Sequence, residues 1–423
     1  MSVLLRNWAG NHTYSTENIL YPSSVEEVTA LVQCHQKLRV LGTRHSFNAI
    51  ADSDAALISL AKLVPSICFD YERHQVTISA NMTYGELCPM LHQAGYALPN
   101  MASLPHISVI GACMTATHGS GVANRTLASS VSGLTFVAAN GEVVTLSRES
   151  DGETFDGAVV SLGALGIVVE LTLDVIPAFE ISQYVYLDLP FQSLELHFDE
   201  IMSAAYSVSL FTDWRQESIN QVWLKRRISD RLSFASGASF FGAGPATVEM
   251  HAIAELTPNA CTYQLGVAGP WHERLPHFRI DATPSAGDEL QSEYFVARSD
   301  ALEAIRAVST LRDDIAPHLL ISEIRTIASD RFWMSPFYNQ DTVGIHFTWK
   351  QDWSSVRSVL RHIDATLEPF DARPHWGKLF TMHPSRIQSL YPNLSRFRDL
   401  VAQYDPRGKF RNAFVQTYLY GIE

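Results

Sequence analysis

Three short apolar runs carry polar residues at every second position. They are Gln291 and Glu293 in residues 290–296, Glu323 and Arg325 in 321–327, and His346 and Thr348 in 343–349, the last pair alternating with Val343, Ile345, Phe347 and Trp349. Residues i and i+2 of a strand share a face of the sheet. Each run therefore presents two hydrogen-bonding or ionisable groups on one side and apolar groups on the other. A sheet with one solvated face gives the same pattern. Acid, arginine, histidine and glutamine gathered on three strands suit a different arrangement, a cleft for a hydroxyl-rich ligand, because such a site rejects molecules that leave its polar groups unpaired.

A second kind of chemistry is suggested by small-residue loops that contain histidine. Gly42-Thr43-Arg44-His45-Ser46-Phe47-Asn48 follows the apolar run Leu38-Arg39-Val40-Leu41. Backbone amides in such a turn can form a nest for pyrophosphate, although the GxGxxG spacing of a nicotinamide fold is absent. Thr115-Ala116-Thr117-His118-Gly119-Ser120-Gly121 is the second loop, where small side chains let the backbone approach a flat or phosphate-bearing ligand. Either loop alone reads as an ordinary turn, and the two together are a better signal. His375-Trp376-Gly377-Lys378 adds a lysine that, beside a cofactor, can meet negative charge developing on a reduced ring. Asp405-Pro406-Arg407-Gly408-Lys409-Phe410-Arg411-Asn412 reads as a turn followed by a strand.

Strand and helix signals alternate around these loops. Ser23 and Ser24 with Glu26 and Glu27 offer two overlapping capping boxes before the helical repeat Val25, Val28, Leu31, Val32. Residues 75–79 read as a strand, and Thr83 with Glu86 caps a helix that carries Leu87, Met90 and Leu91 and stops at Gly95. Asn140-Gly141 joins two strand-like runs as a hairpin, and a tight turn over 161–166 leads into an alternating strand, Ile167 to Asp174, closed by Pro177. Residues 98–121 resist assignment. Beyond residue 180 come aromatic and β-branched runs at 206–214, 221–225, 290–296, 320–327 and 343–349, with amphipathic helices near 300–312 and 354–367. These predict an α+β arrangement, one large antiparallel sheet with helices on one side. The predicted division is an N-terminal domain over 1–179, a middle domain over 180–372, and a C-terminal segment over 373–423 of short, Pro- and Gly-marked pieces that completes the first domain.

The whole-chain properties exclude several functions. A net charge of −13 over 423 residues disfavours a nucleic-acid or anionic-membrane partner. The five cysteines are widely spaced and form neither a metal clip nor a CxxC, which predicts buried reduced thiols in a cytoplasmic protein. The N-terminus has no signal-peptide core, and no run of about 18 apolar residues predicts a membrane span. The 16 histidines raise a metal-dependent hydrolase, but no HExxH or comparable ligand spacing supports one, and no metal is expected. A cofactor-free carbohydrate-binding module would leave the small-residue loops without a task.

Together these blocks resemble the vanillyl-alcohol-oxidase type of FAD enzymes, and within it the alditol (xylitol) oxidases and the related aldonolactone oxidases. The resemblance runs over nearly the whole chain, through residues 7–11, 42–48, 98–108, 116–121, 161–166, 269–279 and 373–378. It implies a two-part FAD-binding domain of the PCMH type with a substrate (cap) domain on the large sheet. The flavin is expected to be bonded covalently to His45. Val40, Leu41, Gly42, Thr43, Arg44, Ser46, Ser103, Ser108, Gly111, Ala112, Cys113, Met114, His118, Val168 and His375 are expected to line it. Many relatives have glycine where this chain has Arg44, so a changed loop conformation is expected there. Ser103, Gln291, Glu323, Arg325, His346, Thr348 and Lys378 carry over as substrate residues. All of these but Ser103 also arise from the strand faces or the His-Trp-Gly-Lys loop.

The mechanism so implied is hydride transfer from a polyol carbon to the flavin, with oxygen reduced to hydrogen peroxide and an aldose formed. Arg325 and Lys378 would hold the reacting hydroxyl oxygen. Lys378 or His346 would take its proton, and Glu323, Ser103, Gln291 and Thr348 would bind the other hydroxyls. A sugar-1,4-lactone oxidase or dehydrogenase on the same fold is the alternative. The only expected partners are polyol and oxygen, with a monomeric chain.

Overall fold

The β-branched and aromatic runs beyond residue 180 pair into one antiparallel sheet in a computed structural model that describes residues 5–230, 237–282 and 288–422. Among the described residues the sheet has nine strands. Its central order is Glu180–Pro190, Ser218–Arg227, Ser207–Thr212, Leu319–Ile327, Thr342–Lys350 and Glu289–Ala297. The register sets Glu293 opposite His346, and His346 opposite Glu323, which in turn faces Phe211. Gln291 pairs with Thr348 in the next row, and Gly344 faces Arg325 on the other side. Every second residue of a strand faces one way, so these rows assemble a single polar face. That face is buried rather than solvated: Glu293, Glu323, Arg325, His346 and Thr348 are all buried.

The opposite face carries Val343, Ile345, Phe347 and Trp349, each fully buried. Two helices complete its core. Ala301–Ser309 buries Ala301, Ala304, Ile305 and Val308, and Trp353–Leu367 buries Val356, Val359, Leu360, Ile363 and Leu367. Both sets follow the spacing of one helical stripe. Asp352 caps the second helix by accepting from the Ser355 N–H.

Among the described residues the N-terminal part holds three smaller sheets, one of them only the pair Tyr96–Ala97 and Ile176–Pro177. Ile67–Asp70, Gln75–Ser79, Ile167–Asp174, Val131–Val137 and Val143–Ser147 form an antiparallel set of five, and the last two are joined through the Asn140-Gly141 turn. Ile19–Leu20, Leu57–Ile58 and Arg39–Val40 form a short parallel set of three. Helix Val25–Cys34 starts at Ser24, and helix Tyr84–Gln93 at Thr83 with a complete capping box. Only Val109–Met114 is helical in the stretch whose structure the residue pattern left undecided.

Two expectations are corrected. Residues 405–412 form no strand. The Asp405 carboxylate accepts the N–H groups of Lys409 and Phe410 at 2.7 and 2.8 Å, and Asn412 caps helix Ala413–Tyr420. The cysteines are all unpaired, but Cys34 and Cys68 are exposed. Among the described residues no helix is long and apolar enough to cross a membrane.

Arg39 ties the N-terminal part together. It is buried, and its guanidinium donates to the carbonyls of Ile50, Leu162, Gly163 and Phe410. Arg39→Met should therefore leave the carbonyls of Leu162, Gly163 and Phe410 without a donor, Ile50 keeping Asn412, and cost about 3–5 kcal/mol of stability, since each buried unpaired group costs roughly 1–3 kcal/mol. Urea unfolding of both proteins measures this, and an unchanged midpoint would contradict it.

Candidate active site

The small-residue loops and the polar sheet face open onto one cavity of about 400 Å³. Its walls include Val40, Leu41, Gly42, Thr43, Arg44, His45, Ser46, Ser103, Ser108, Gly111, Ala112, Met114, His118, Val168 and His375. Gln291, Glu323, Arg325, His346, Thr348 and Lys378 line the same cavity. Cys113 is the exception among the expected residues. Its thiol turns into the core, 3.8 Å from the Tyr84 hydroxyl, where burial pushes it up to about 12.

The His45 loop is held from two sides. On one side the Trp8 N–H donates to the Arg44 carbonyl at 2.8 Å, and the side chains of Asn7 and Asn11 donate to the carbonyls of Ser46 and Phe47. On the other side the Asn48 amide donates to the carbonyls of Trp376 and Lys378 at 2.8 and 2.7 Å. The imidazole stacks on Trp8 with centroids 5.3 Å apart, and its Nδ1 lies 3.1 Å from Thr43 Oγ1. Arg44 adopts φ +63°, a conformation natural to glycine. The turn therefore places an arginine side chain on a backbone conformation natural to glycine. Burial pulls His45 down to about 4, so the ring is neutral near pH 7 and keeps a nucleophilic lone pair.

These residues fit a flavin dinucleotide. The walls near the loops are small (Gly42, Ala61, Ala80, Ala102, Gly111, Ala112, Gly163, Gly166) and leave room for a flat ring and its diphosphate. A Cβ on Gly111 would stand 2.7 Å from the Ser108 hydroxyl, and one on Gly42 3.1 Å from it. The hydroxyl thus occupies the space a side chain at either position would need.

At the sheet end the central group is Glu293, fully buried. One carboxylate oxygen accepts from Arg325 at 2.7 Å and lies 3.2 Å from His118 Nε2, and the other accepts from Lys378 Nζ at 2.6 Å. Burial alone would raise this carboxyl, but Lys378, Arg325 and His118 hold it well below the usual range. Gly344 makes room for the pair, since a Cβ there would sit 3.2 Å from the Glu293 oxygen. Lys378 Nζ also reaches His346 Nδ1 at 2.8 Å, and His346 Nε2 lies 3.0 Å from Thr348 Oγ1. Burial, with Arg325 adding to it, lowers Lys378 against the opposing pull of Glu293. Burial and Lys378 bring His346 down to about 4. The result is a lysine and a histidine in direct contact, both lowered by burial, next to a fixed arginine.

Glu293 was visible on its strand but drew no role, because its partners lie on three distant segments. His277 was hidden inside residues 269–279. Its Nε2 lies 2.7 Å from Glu323. Lys225, buried behind it, left one signal: a lysine on the same strand face as Gln221 and Trp223 in an apolar run.

The comparisons agree with this geometry. Residues 16–147 match a family model described as an FAD binding domain, and residues 288–418 one described as D-arabinono-1,4-lactone oxidase. The chain is 46% identical to an alditol oxidase of a Streptomyces species, covering 100% of both chains. It is 24% identical to an L-gulono-1,4-lactone dehydrogenase of Mycobacterium tuberculosis, with 99% of this chain and 100% of that one aligned. A bovine L-gulonolactone oxidase is 23% identical over 99% of this chain and 98% of its own. A solvent-stable cholesterol oxidase superposes with TM-score 0.79 at 13% identity, covering 98% of this chain and 97% of that one. This last likeness speaks to the fold alone. It bears out the expected fold with its large antiparallel sheet, and the family model over residues 16–147 bears out the expected FAD-binding domain.

The buried histidines make the fold acid-sensitive. His277 and His346 stand at about 4 when folded and at the ordinary 6.5 when unfolded. The unfolded chain therefore binds more protons between these values, and stability must fall as pH drops from 6.5 toward 4. Glu293 and Glu323, held low, extend the loss below 4.5. Asp330, raised to about 6 mainly by burial, opposes it in part. Thermal unfolding should occur at a clearly lower temperature at about pH 5 than at about pH 7, and equal midpoints would contradict this account.

Proposed function

The chain belongs to the alditol oxidase family of FAD-dependent oxidases, and we propose that it oxidises the terminal primary hydroxyl of a polyol such as xylitol or sorbitol at the buried polar face of its large sheet. The observation that carries this reading is the row Glu293, His346 and Glu323, flanked by Arg325 and Lys378, facing the same cavity as the FAD loops. Dry, convergent donors and acceptors are what selective polyol binding requires.

In this reading residues 1–179 hold FAD, residues 180–372 bind the substrate with help from Ser103, and residues 373–423 complete the FAD domain and supply Lys378 to the active site. Val40 to Ser46, Ser108, Gly111, Ala112, Met114, His118, Val168 and His375 hold the cofactor, and the neutral imidazole of His45 bonds to it covalently. When bound, FAD accepts the hydride and passes the electrons to oxygen, forming hydrogen peroxide. The protein does the rest. Arg325 and Lys378 grip the reacting hydroxyl oxygen and stabilise its alkoxide character. The Lys378–His346 pair, coupled at 2.8 Å, takes the proton as one titrating unit. Glu323, Gln291, Thr348 and Ser103 receive the remaining hydroxyls and select which carbon reacts.

The family model named for a lactone oxidase favours a second reading, a sugar-1,4-lactone as substrate. A substrate panel separates the two. Polyols should exceed lactones in kcat/KM by on the order of tenfold or more, and Glu323→Gln should lower kcat/KM for polyols by on the order of a hundredfold, chiefly through KM. Lactones turned over faster than polyols would reverse the assignment, and an unaffected Glu323→Gln enzyme would remove that carboxylate from the site. His45→Ala should release the flavin from denatured protein on a gel. Fluorescence that still migrates with the chain would mean that another residue carries the bond.

A further inference from the structure

Behind the substrate face lies a fully buried lysine that the mechanism does not use. Lys225 sits on strand Ser218–Arg227 and does not itself line the cavity. Its Nζ donates to the carbonyls of Leu275 and Pro276 at 2.5 and 2.9 Å and stands 3.1 Å from His277 Nδ1. His277 in turn places Nε2 2.7 Å from one oxygen of Glu323, whose other oxygen is 3.5 Å from Arg325 Nε. We propose that Lys225 and His277 are positioning residues that keep Glu323 ionised and oriented as a hydrogen-bond acceptor for polyol hydroxyls, Lys225 acting only through the imidazole. This rests on the reading of Glu323 as a substrate-binding group.

The argument is one of donor and acceptor counting. An ammonium has three N–H groups. Two are taken by carbonyls, which can only accept. The third meets His277 Nδ1, so Nδ1 is the acceptor of the ring and its hydrogen lies on Nε2. That hydrogen points at the Glu323 carboxylate. With Lys225 gone, nothing fixes Nδ1 as the acceptor of the ring. A ring that carries its hydrogen on Nδ1 would set a bare Nε2 against the carboxylate at 2.7 Å, a contact relieved by turning the ring away or by placing a proton between the two groups. Either change disturbs Glu323 as an acceptor for a hydroxyl.

Burial draws Lys225 down to about 7 and His277 to about 4, with Glu323 pulling both upward and Arg325 downward, so the donor count describes the ammonium form that prevails below pH 7. Cys261 also faces Lys225, and His346 faces Glu323 from the neighbouring strand. A purely structural role would have Lys225 pin the loop at 275–277, which also carries the N–H groups of His277 and Phe278 that donate to the Ser103 carbonyl.

The test uses purified holoenzyme with xylitol. Lys225→Met should raise KM about tenfold while kcat stays within about threefold, the signature of lost ground-state binding. The acidic limb of kcat/KM should move up by about one pH unit, because Glu323 protonates more easily. In a Glu323→Gln background the same change should alter KM less than about twofold, since the two act on one carboxylate. His277→Asn keeps an acceptor for Lys225 and leaves the loop pinned, yet cuts the link to Glu323. It should reproduce the KM rise and the pH shift, and it carries the test if Lys225→Met does not accumulate as a flavoprotein. Losses additive with Glu323→Gln, or native KM and pH limb in His277→Asn, would overturn the proposal. Native KM in Glu323→Gln alone would instead overturn the placing of Glu323 in the substrate site.

Discussion

One buried carboxylate organises the site. Glu293 receives Arg325 from the neighbouring part of its own sheet, Lys378 from the C-terminal segment and His118 from the N-terminal loops. A carboxylate without water is strongly disfavoured unless it is paired and hydrogen-bonded. Its three partners are therefore not independent. Each is needed to keep Glu293 charged, and Glu293 is needed to hold each in place. Three stretches of chain far apart in sequence are fixed to one point, and the cavity between the small-residue loops and the sheet takes its shape from that constraint.

The sheet makes this possible through register. The two faces divide the labour: helices Ala301–Ser309 and Trp353–Leu367 seal the apolar side, so the other side can be given over to polar groups. Antiparallel pairing puts Glu293, His346 and Glu323 in a line across three strands. A slip of one residue in any strand would send its polar pair into the helical layer and its aromatic residues into the cavity. Gly344 adds a local requirement, since a side chain there would press on the Glu293 oxygen.

Much of this was readable from residue pattern. Alternation fixed the faces of the three central strands because strand periodicity is local, and Thr83 with Glu86 located a helix start because capping is local too. The partners of Glu293, by contrast, are long-range and leave no local trace. The same holds for His277, whose role depends on which strand lies opposite its loop. Helix Leu394–Tyr404 was passed over although Leu394, Phe397, Leu400 and Val401 carry a helical stripe, because the surrounding Pro and Gly residues suggested short irregular pieces. Residues 405–412 resembled a strand only because their side-chain contacts to the backbone, chiefly those of Asp405, cannot be seen in composition.

The charges around the cavity point the same way as the proposed chemistry. Arg325, Lys378 and Lys225 are cationic when protonated, and Glu293 and Glu323 are the carboxylates they face. Glu289 adds a third buried carboxylate to the cavity wall, where it accepts from Gln291 at 2.6 Å. Burial lowers Lys225 and Lys378, with Arg325 adding to it. Arg325 and Lys378 nevertheless stand fixed and dry where, in the proposed reaction, the bound hydroxyl oxygen acquires negative charge on losing its proton. Their donors need no rearrangement at that step, so the arrangement favours the reacting state over the bound polyol.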